Sequence, residues 1–180
     1  MKFKKHKDCL KCPLNKNEAV WGIGTIPNDI MVIGRDPGEE ENKFKKPFIG
    51  KSGKLLTLNL GLHAGIRREL IYITNVVKCH PPKNRPHTEE EARLCKKFLL
   101  TELKHVKPKL IILLGNKALQ CFFKNKTIGK ARGKLLKDPF KNIYFYPMYH
   151  PSYIERNKSK KPDYIKNFEK LKKIVNKYVK

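Results

Sequence analysis

Four of the five cysteines stand in a pattern that can hold metal: Cys9-Leu-Lys-Cys12 near the N-terminus, then Cys79 and Cys95 with fifteen residues between them. Four thiolates complete either a tetrahedral zinc site or a 4Fe-4S cluster, and spacing alone does not choose between the two. Cys121, inside Ala118-Leu-Gln-Cys-Phe-Phe123, is left over and reads as a core residue. Other reactive groups sit at the ends of apolar runs. These are Asp36 in Gly34-Arg-Asp-Pro-Gly38, the acidic run Glu39-Glu40-Glu41, Asn75 after Leu70-Ile-Tyr-Ile-Thr74, and His150 before Pro151-Ser152. A side-chain amide can pair with a donor and an acceptor at once. A histidine fixed at a strand end can stabilise a developing oxyanion.

Four short β-branched runs must position these groups: Asp29-Ile-Met-Val-Ile-Gly34, Leu70-Ile-Tyr-Ile-Thr74, Lys109-Leu-Ile-Ile-Leu-Leu-Gly115 and Asn142-Ile-Tyr-Phe-Tyr146. Each has the length and composition of a buried strand. Helical patterns lie between them. Thr88-Glu-Glu-Glu91 has the form of a capping box, which predicts a helix to about Val106, stopped by Pro108. Its apolar positions Ala92, Cys95, Phe98, Leu99, Leu103 and Val106 recur at steps of three and four, placing Cys95 on the inward face. Ile165, Phe168, Leu171, Ile174, Val175 and Tyr178 repeat the pattern near the C-terminus. The alternation predicts an α/β fold with a mainly parallel sheet covered on both faces, and in such sheets active sites gather at the carboxyl ends of the strands. Here those ends are Gly34–Gly38, Thr74-Asn75, Gly115-Asn116 and Tyr149–Ser152. At this length one domain over residues 1–180 is expected, with a metal-binding N-terminal segment over about residues 1–20.

The 180 residues carry 41 Lys and Arg against 16 Asp and Glu, a formal charge of +25. An excess spread along the whole chain attracts a polyanion and makes its binding salt-dependent. No apolar run is long enough to span a membrane, and Met1-Lys-Phe-Lys-Lys-His6 lacks the apolar core of a signal peptide. The expectation is a soluble, cytoplasmic, nucleoid-associated chain with no membrane partner. In a reducing compartment the cysteines read as a metal site and not as disulfides.

In order along the chain, five motifs resemble the family 4 uracil-DNA glycosylases, the iron–sulfur members of the uracil-DNA glycosylase superfamily. They are Gly34-Arg-Asp-Pro-Gly-Glu-Glu-Glu41, Pro47-Phe-Ile-Gly-Lys-Ser-Gly53, Tyr72-Ile-Thr-Asn-Val-Val-Lys-Cys79, Arg85-Pro86 and His150-Pro-Ser-Tyr153. The resemblance runs from Cys9 to about Arg156, and its specificity lies in the ordered set with the cysteine spacing. It implies a three-layer α/β/α sandwich with a four-stranded, mainly parallel sheet, and a 4Fe-4S cluster on Cys9, Cys12, Cys79 and Cys95 in place of zinc. It also implies a monofunctional enzyme, acting as a monomer, that flips uracil out of single- or double-stranded DNA and leaves an abasic site. The cluster is expected to shape a DNA-facing surface around Lys78–Arg85 and to take no part in the chemistry.

The resemblance further assigns Phe48 to stack on uracil, Asn75 to read its polar edge and His150 to bond its O2, with Gly34 and Gly38 in the substrate loop. One position departs from the pattern, because the family reads Gly-Glu-small-Pro-Gly where this chain has Arg35 and Asp36. Asp36 is similar instead to the Asp of Gly-Gln-Asp-Pro in the family 1 enzymes, which orients the attacking water. A carboxylate there can also offset the charge of an oxocarbenium-like sugar. Asp36 is the first candidate for that role and Glu41 the second, while Glu39 and Glu40 read as solvated charge. The segment Pro151–Arg156 is expected to enter the minor groove with Tyr153 or Ile154 as an apolar wedge. Ser152, Arg156, Lys51, Arg85, Lys158, Lys160 and Lys161 are expected on the DNA backbone. Three rival readings follow. The altered first motif fits a non-catalytic or self-trapping uracil-binding protein. A glycosylase for another deaminated base such as hypoxanthine or xanthine is a further alternative. The charge and the cysteines fit a zinc-stabilised module that binds nucleic acid non-specifically.

Overall fold

The computed structural model describes residues 7–138 and 142–179, so Met1–His6 of the N-terminal segment lie outside the described residues. Five strands form one sheet: β1 (Ile30–Gly34), β2 (Tyr72–Asn75), β3 (Leu110–Leu114), β4 (Leu136–Lys137) and β5 (Tyr144–Met148). Their order is β2-β1-β3-β5-β4. The first four in that order are parallel, and β4 runs antiparallel along the edge of β5. Every residue of β1 and β3 is buried, which requires cover on both faces of the sheet.

The expected four strands are present, with a fifth added at the edge. A strand of two residues carries no periodicity, so β4 left no mark in the sequence. The last long strand lies two residues later than its apolar run suggests and contains Pro147. That proline falls beyond the end of β4, and its carbonyl accepts a hydrogen bond from Gly133 N–H at 3.0 Å.

Seven α-helices accompany the sheet among the described residues: α1 (Glu39–Phe44), α2 (Lys51–Asn59), α3 (Glu89–Val106), α4 (Gly115–Phe122), α5 (Ile128–Ala131), α6 (Pro151–Arg156) and α7 (Lys161–Tyr178). The capping box at the start of α3 is formed: Thr88 Oγ1 accepts from Glu91 N–H at 3.1 Å, and Glu91 accepts from Thr88 N–H at 2.8 Å. The helix ends at Val106 as its periodicity predicts, with Lys107 left-handed before Pro108. Phe98, Leu99 and Val106 are buried on the expected face, and so is Glu102, which no apolar pattern reveals. α4 packs on β1 and β3, while α7 packs on β5 and on the π-helical turn Leu60–Ala64. No helix among the described residues is long and apolar enough to cross a membrane.

β1 has β2 on one side and β3 on the other, so the chain order reverses across it. Such a reversal opens a crevice at the carboxyl ends of the strands. The register sets Gly34 at the end of β1 beside Asn75 at the end of β2, and His150 follows β5 at the same edge.

Candidate active site

A cleft of about 430 Å³ opens at that edge, walled by Arg35, Asp36, Gly38, Phe48, Asn75 and His150 among others. Phe48 is buried in the loop between α1 and α2 and has a left-handed backbone, φ 53°. Three backbone bonds to one carboxylate hold that loop. Glu41 Oε1 accepts from Ile49 and Gly50 N–H at 3.0 and 2.9 Å, and its Oε2 accepts from Gly38 N–H at 3.1 Å. Arg68 Nη2 donates to Pro47 O at 2.6 Å from the other side. Gly34 is obligatory for a different reason: a Cβ there would collide with the Phe48 ring and with Asn75 Oδ1. The ring and the amide oxygen therefore converge over one backbone position.

Asn75 is 2% exposed, and its Oδ1 is a buried acceptor with no partner. A buried oxygen of this kind costs about 1–3 kcal/mol unless a donor reaches it. Facing it across the cleft, the His150 ring lies 6.0 Å from the Phe48 ring, tilted by 37°. Ser152 N–H donates to His150 Nδ1 at 3.2 Å, so Nδ1 is the acceptor nitrogen and the ring proton resides on Nε2. Burial pushes the imidazole down to about 4, and the charges of Arg35 and Arg156 push the same way against Asp36.

Asp36 is paired on both oxygens. Oδ1 accepts from Arg35 Nε at 2.8 Å, and Oδ2 accepts from His87 N–H at 3.1 Å and lies 3.1 Å from His87 Nδ1. No motif marked His87, whose importance follows only from the fold. His80 is a second such residue, with Nδ1 2.8 Å from Pro37 O, which ties the loop after Cys79 to the Gly34–Gly38 loop.

The DNA-facing candidates divide. Arg156 and Ser152 line the cleft, although Ser152 spends its groups on His150, with its hydroxyl 2.8 Å from Nδ1. Lys51, Lys158, Lys160 and Lys161 are exposed. Arg85 grips Glu91 through two nitrogens at 2.9 and 2.6 Å and so braces the start of α3. Ile154 requires a correction as a wedge: it is 3% exposed, on the inward side of α6, and packs in the core. Tyr153 is half-buried and stacks on Tyr149 at 4.7 Å.

Away from the cleft, Cys9, Cys12, Cys79 and Cys95 line one small cavity with Ala19, Trp21, Val77, Leu94 and Phe98. No three His, Cys, Asp or Glu side chains converge on a single-ion site among the described residues. Lys78 N–H donates to Cys95 Sγ at 3.3 Å. Burial pushes the Cys95 thiol up to about 11, against the pull of Lys78. Cys121 is half-buried and packs against the core.

The cleft thus sets a buried aromatic ring beside a buried amide oxygen that has no partner, at the carboxyl edge of a mainly parallel sheet. The sequence profile of the Uracil DNA glycosylase superfamily matches residues 21–178, and the chain belongs to that superfamily. It is 42% identical over 177 residues to the type-4 uracil-DNA glycosylase of Thermotoga maritima, covering 95% of this chain and 91% of that one. Its identity to the type-4 enzyme of Saccharolobus solfataricus is 40% over 81% of this chain and 72% of the relative. For the type-4 enzyme of Archaeoglobus fulgidus the figures are 35%, 94% and 89%.

The site makes a prediction about protonation. His150 should stay neutral, with its proton on Nε2, from pH 8 down to about pH 5, because its folded value is near 4. The unfolded chain takes up that proton near pH 6.5 and the folded chain only near 4, so folding loses stability as pH falls through this window. Ring-nitrogen NMR across the range checks this, and an imidazolium signal for His150 at pH 6 contradicts it.

Proposed function

We propose that this chain is a monofunctional glycosylase that flips uracil out of DNA and hydrolyses its N-glycosidic bond. The observation that carries the reading is the buried, unpartnered Asn75 Oδ1 beside the Phe48 ring. Uracil offers an N3–H donor next to its O4 acceptor, and an Asn amide meets both. Cytosine has an acceptor at N3 and a donor at position 4, so the same amide leaves both pairs mismatched. Phe48 gives the ring a stacking surface, and His150 Nε2–H is placed to donate to O2.

In the chemical step the C1′–N1 bond breaks and its electron pair passes to uracil N1, delocalised onto O2. His150 is neutral and donates to that oxygen as charge accumulates. Asp36 keeps a lone pair on Oδ1 beyond the bond from Arg35, enough to orient a water toward C1′ and to offset the sugar cation. The water oxygen bonds to C1′ and releases a proton to solvent, while the uracil anion takes one up. Glu41, with its carboxylate committed to three backbone N–H groups, is a positioning residue for the Phe48 loop.

The four cysteines fit a 4Fe-4S cluster, since they surround one apolar cavity and receive a backbone N–H at Cys95. When bound, such a cluster would cross-link the N-terminal segment, the loop after β2 and α3, and no step of hydrolysis would run through it. DNA, single- or double-stranded, is the substrate, and +25 of formal charge supports its capture.

The test is a labelled duplex with one uracil, incubated with the protein and then treated with alkali. A break at the uracil position alone is expected, and an intact strand overturns the reading. In single-turnover measurements on folded protein, Asp36→Asn should lose about 10²- to 10⁴-fold in rate, the range for a positioned acid–base group. A rate within a few-fold of wild type would remove Asp36 from the water-orienting role. Protein purified without oxygen should contain about four irons per chain. Stoichiometric zinc without iron would contradict the cluster.

A further inference from the structure

We propose that Arg35 supplies positive charge to the departing uracil anion, a role that rests on the glycosylase reading above. Arg35 follows Gly34 at the carboxyl end of β1 and walls the same cleft as Phe48, Asn75 and His150. Its guanidinium is held along one edge. Nε donates to Asp36 Oδ1 at 2.8 Å and Nη2 to Asn84 O at 3.3 Å, while Nη1 has no partner among the described residues. The side chain is one-third exposed, and the residue forms part of the cleft wall.

The field of this group at His150 shows its reach. Of the neighbouring charges, Arg35 acts most strongly on the ring and disfavours a cation there, more than Asp36 favours one. A potential that opposes a proton on His150 attracts an anion bound to the same nitrogen. Uracil O2, bonded to Nε2, becomes that anion when the C1′–N1 electron pair moves onto the base. Because Asp36 and the Asn84 carbonyl already pin the guanidinium, no reorganisation is needed as the charge develops.

Leaving-group acidity separates this role from a structural one. Excision is measured under single-turnover conditions at saturating protein, on identical duplexes carrying either uracil or 5-fluorouracil. Fluorine stabilises the departing anion, so the fluorinated base needs less help. Arg35→Gln should slow uracil release by about 10²-fold, the effect of losing one preorganised donor to a developing anion. Release of 5-fluorouracil should be slowed roughly ten-fold less. Arg35→Met, which keeps the apolar stem, should show the same difference, and Arg35→Lys, which keeps the charge, should largely remove it. Equal losses on the two bases would mean that Arg35 only steers Asp36 or only contacts DNA, and would overturn the proposal. A wild-type protein inactive on both duplexes would overturn the glycosylase reading itself.

Discussion

The site is built on one buried ion pair. Lys78 Nζ lies 2.6 Å from Glu102 Oε2, with side-chain exposures of 1% and 0%. Desolvating two charges costs several kcal/mol per ion, and only near-complete hydrogen bonding offsets it. That condition is met here. Lys78 also donates to Thr74 Oγ1 and to Asn75 O, both at 2.6 Å, and Glu102 accepts from Thr74, Tyr72 and Gly22 N–H. Burial, reinforced by the Glu102 charge, holds the Tyr72 phenol far above its ordinary range, so it remains a donor. The pair thus joins α3, the segment before β1 and the strand end that presents Asn75. Its influence extends to the cysteines, because Lys78 N–H meets Cys95 Sγ and Lys78 O accepts from Val20 N–H at 2.7 Å.

A second set of costs is concentrated in the cleft. A left-handed non-glycine residue such as Phe48 stores about 1–3 kcal/mol, and an unpaired buried amide oxygen costs a similar amount. These persist because Glu41, Arg68 and the close approach at Gly34 over-determine the loop. Under the proposed function, a uracil ring stacked on Phe48 and donating to Asn75 Oδ1 would recover the second cost on binding. Bases lacking an N3–H would not, which would put discrimination before any bond is broken. The tautomer of His150 is set by the N–H of Ser152 in the first turn of α6, so the proposed donation to O2 would need no proton uptake.

The residues that meet in the cleft and the strands that hold them are legible in the sequence because each is a local signal. Continuous β-branched runs marked β1 and β3, a capping box marked α3, and ordered motifs marked Phe48, Asn75 and His150. What was missed depends on contacts between distant residues. Glu102 looks like one more polar residue on a helix, and only Lys78, 24 positions away, gives it a buried place. Arg85 reads as a phosphate contact, and its pairing through both terminal nitrogens with Glu91 is not legible in the sequence. Ile154 reads as a wedge in an exposed loop, whereas Pro151 starts a helix there and the stagger of one turn sends Ile154 into the core. His87 has no motif at all and matters only because the fold sets it against Asp36.

The proposed function requires the cleft of Phe48, Asn75 and His150 to receive a flipped uracil. The most direct measurement is a crystal structure of the protein with a duplex containing 2′-fluorinated deoxyuridine, whose glycosidic bond resists cleavage. The base should lie on the Phe48 ring, with N3–H on Asn75 Oδ1 and O2 at His150 Nε2. A flipped base seated elsewhere, or an Asn75 amide out of contact with it, would contradict the account.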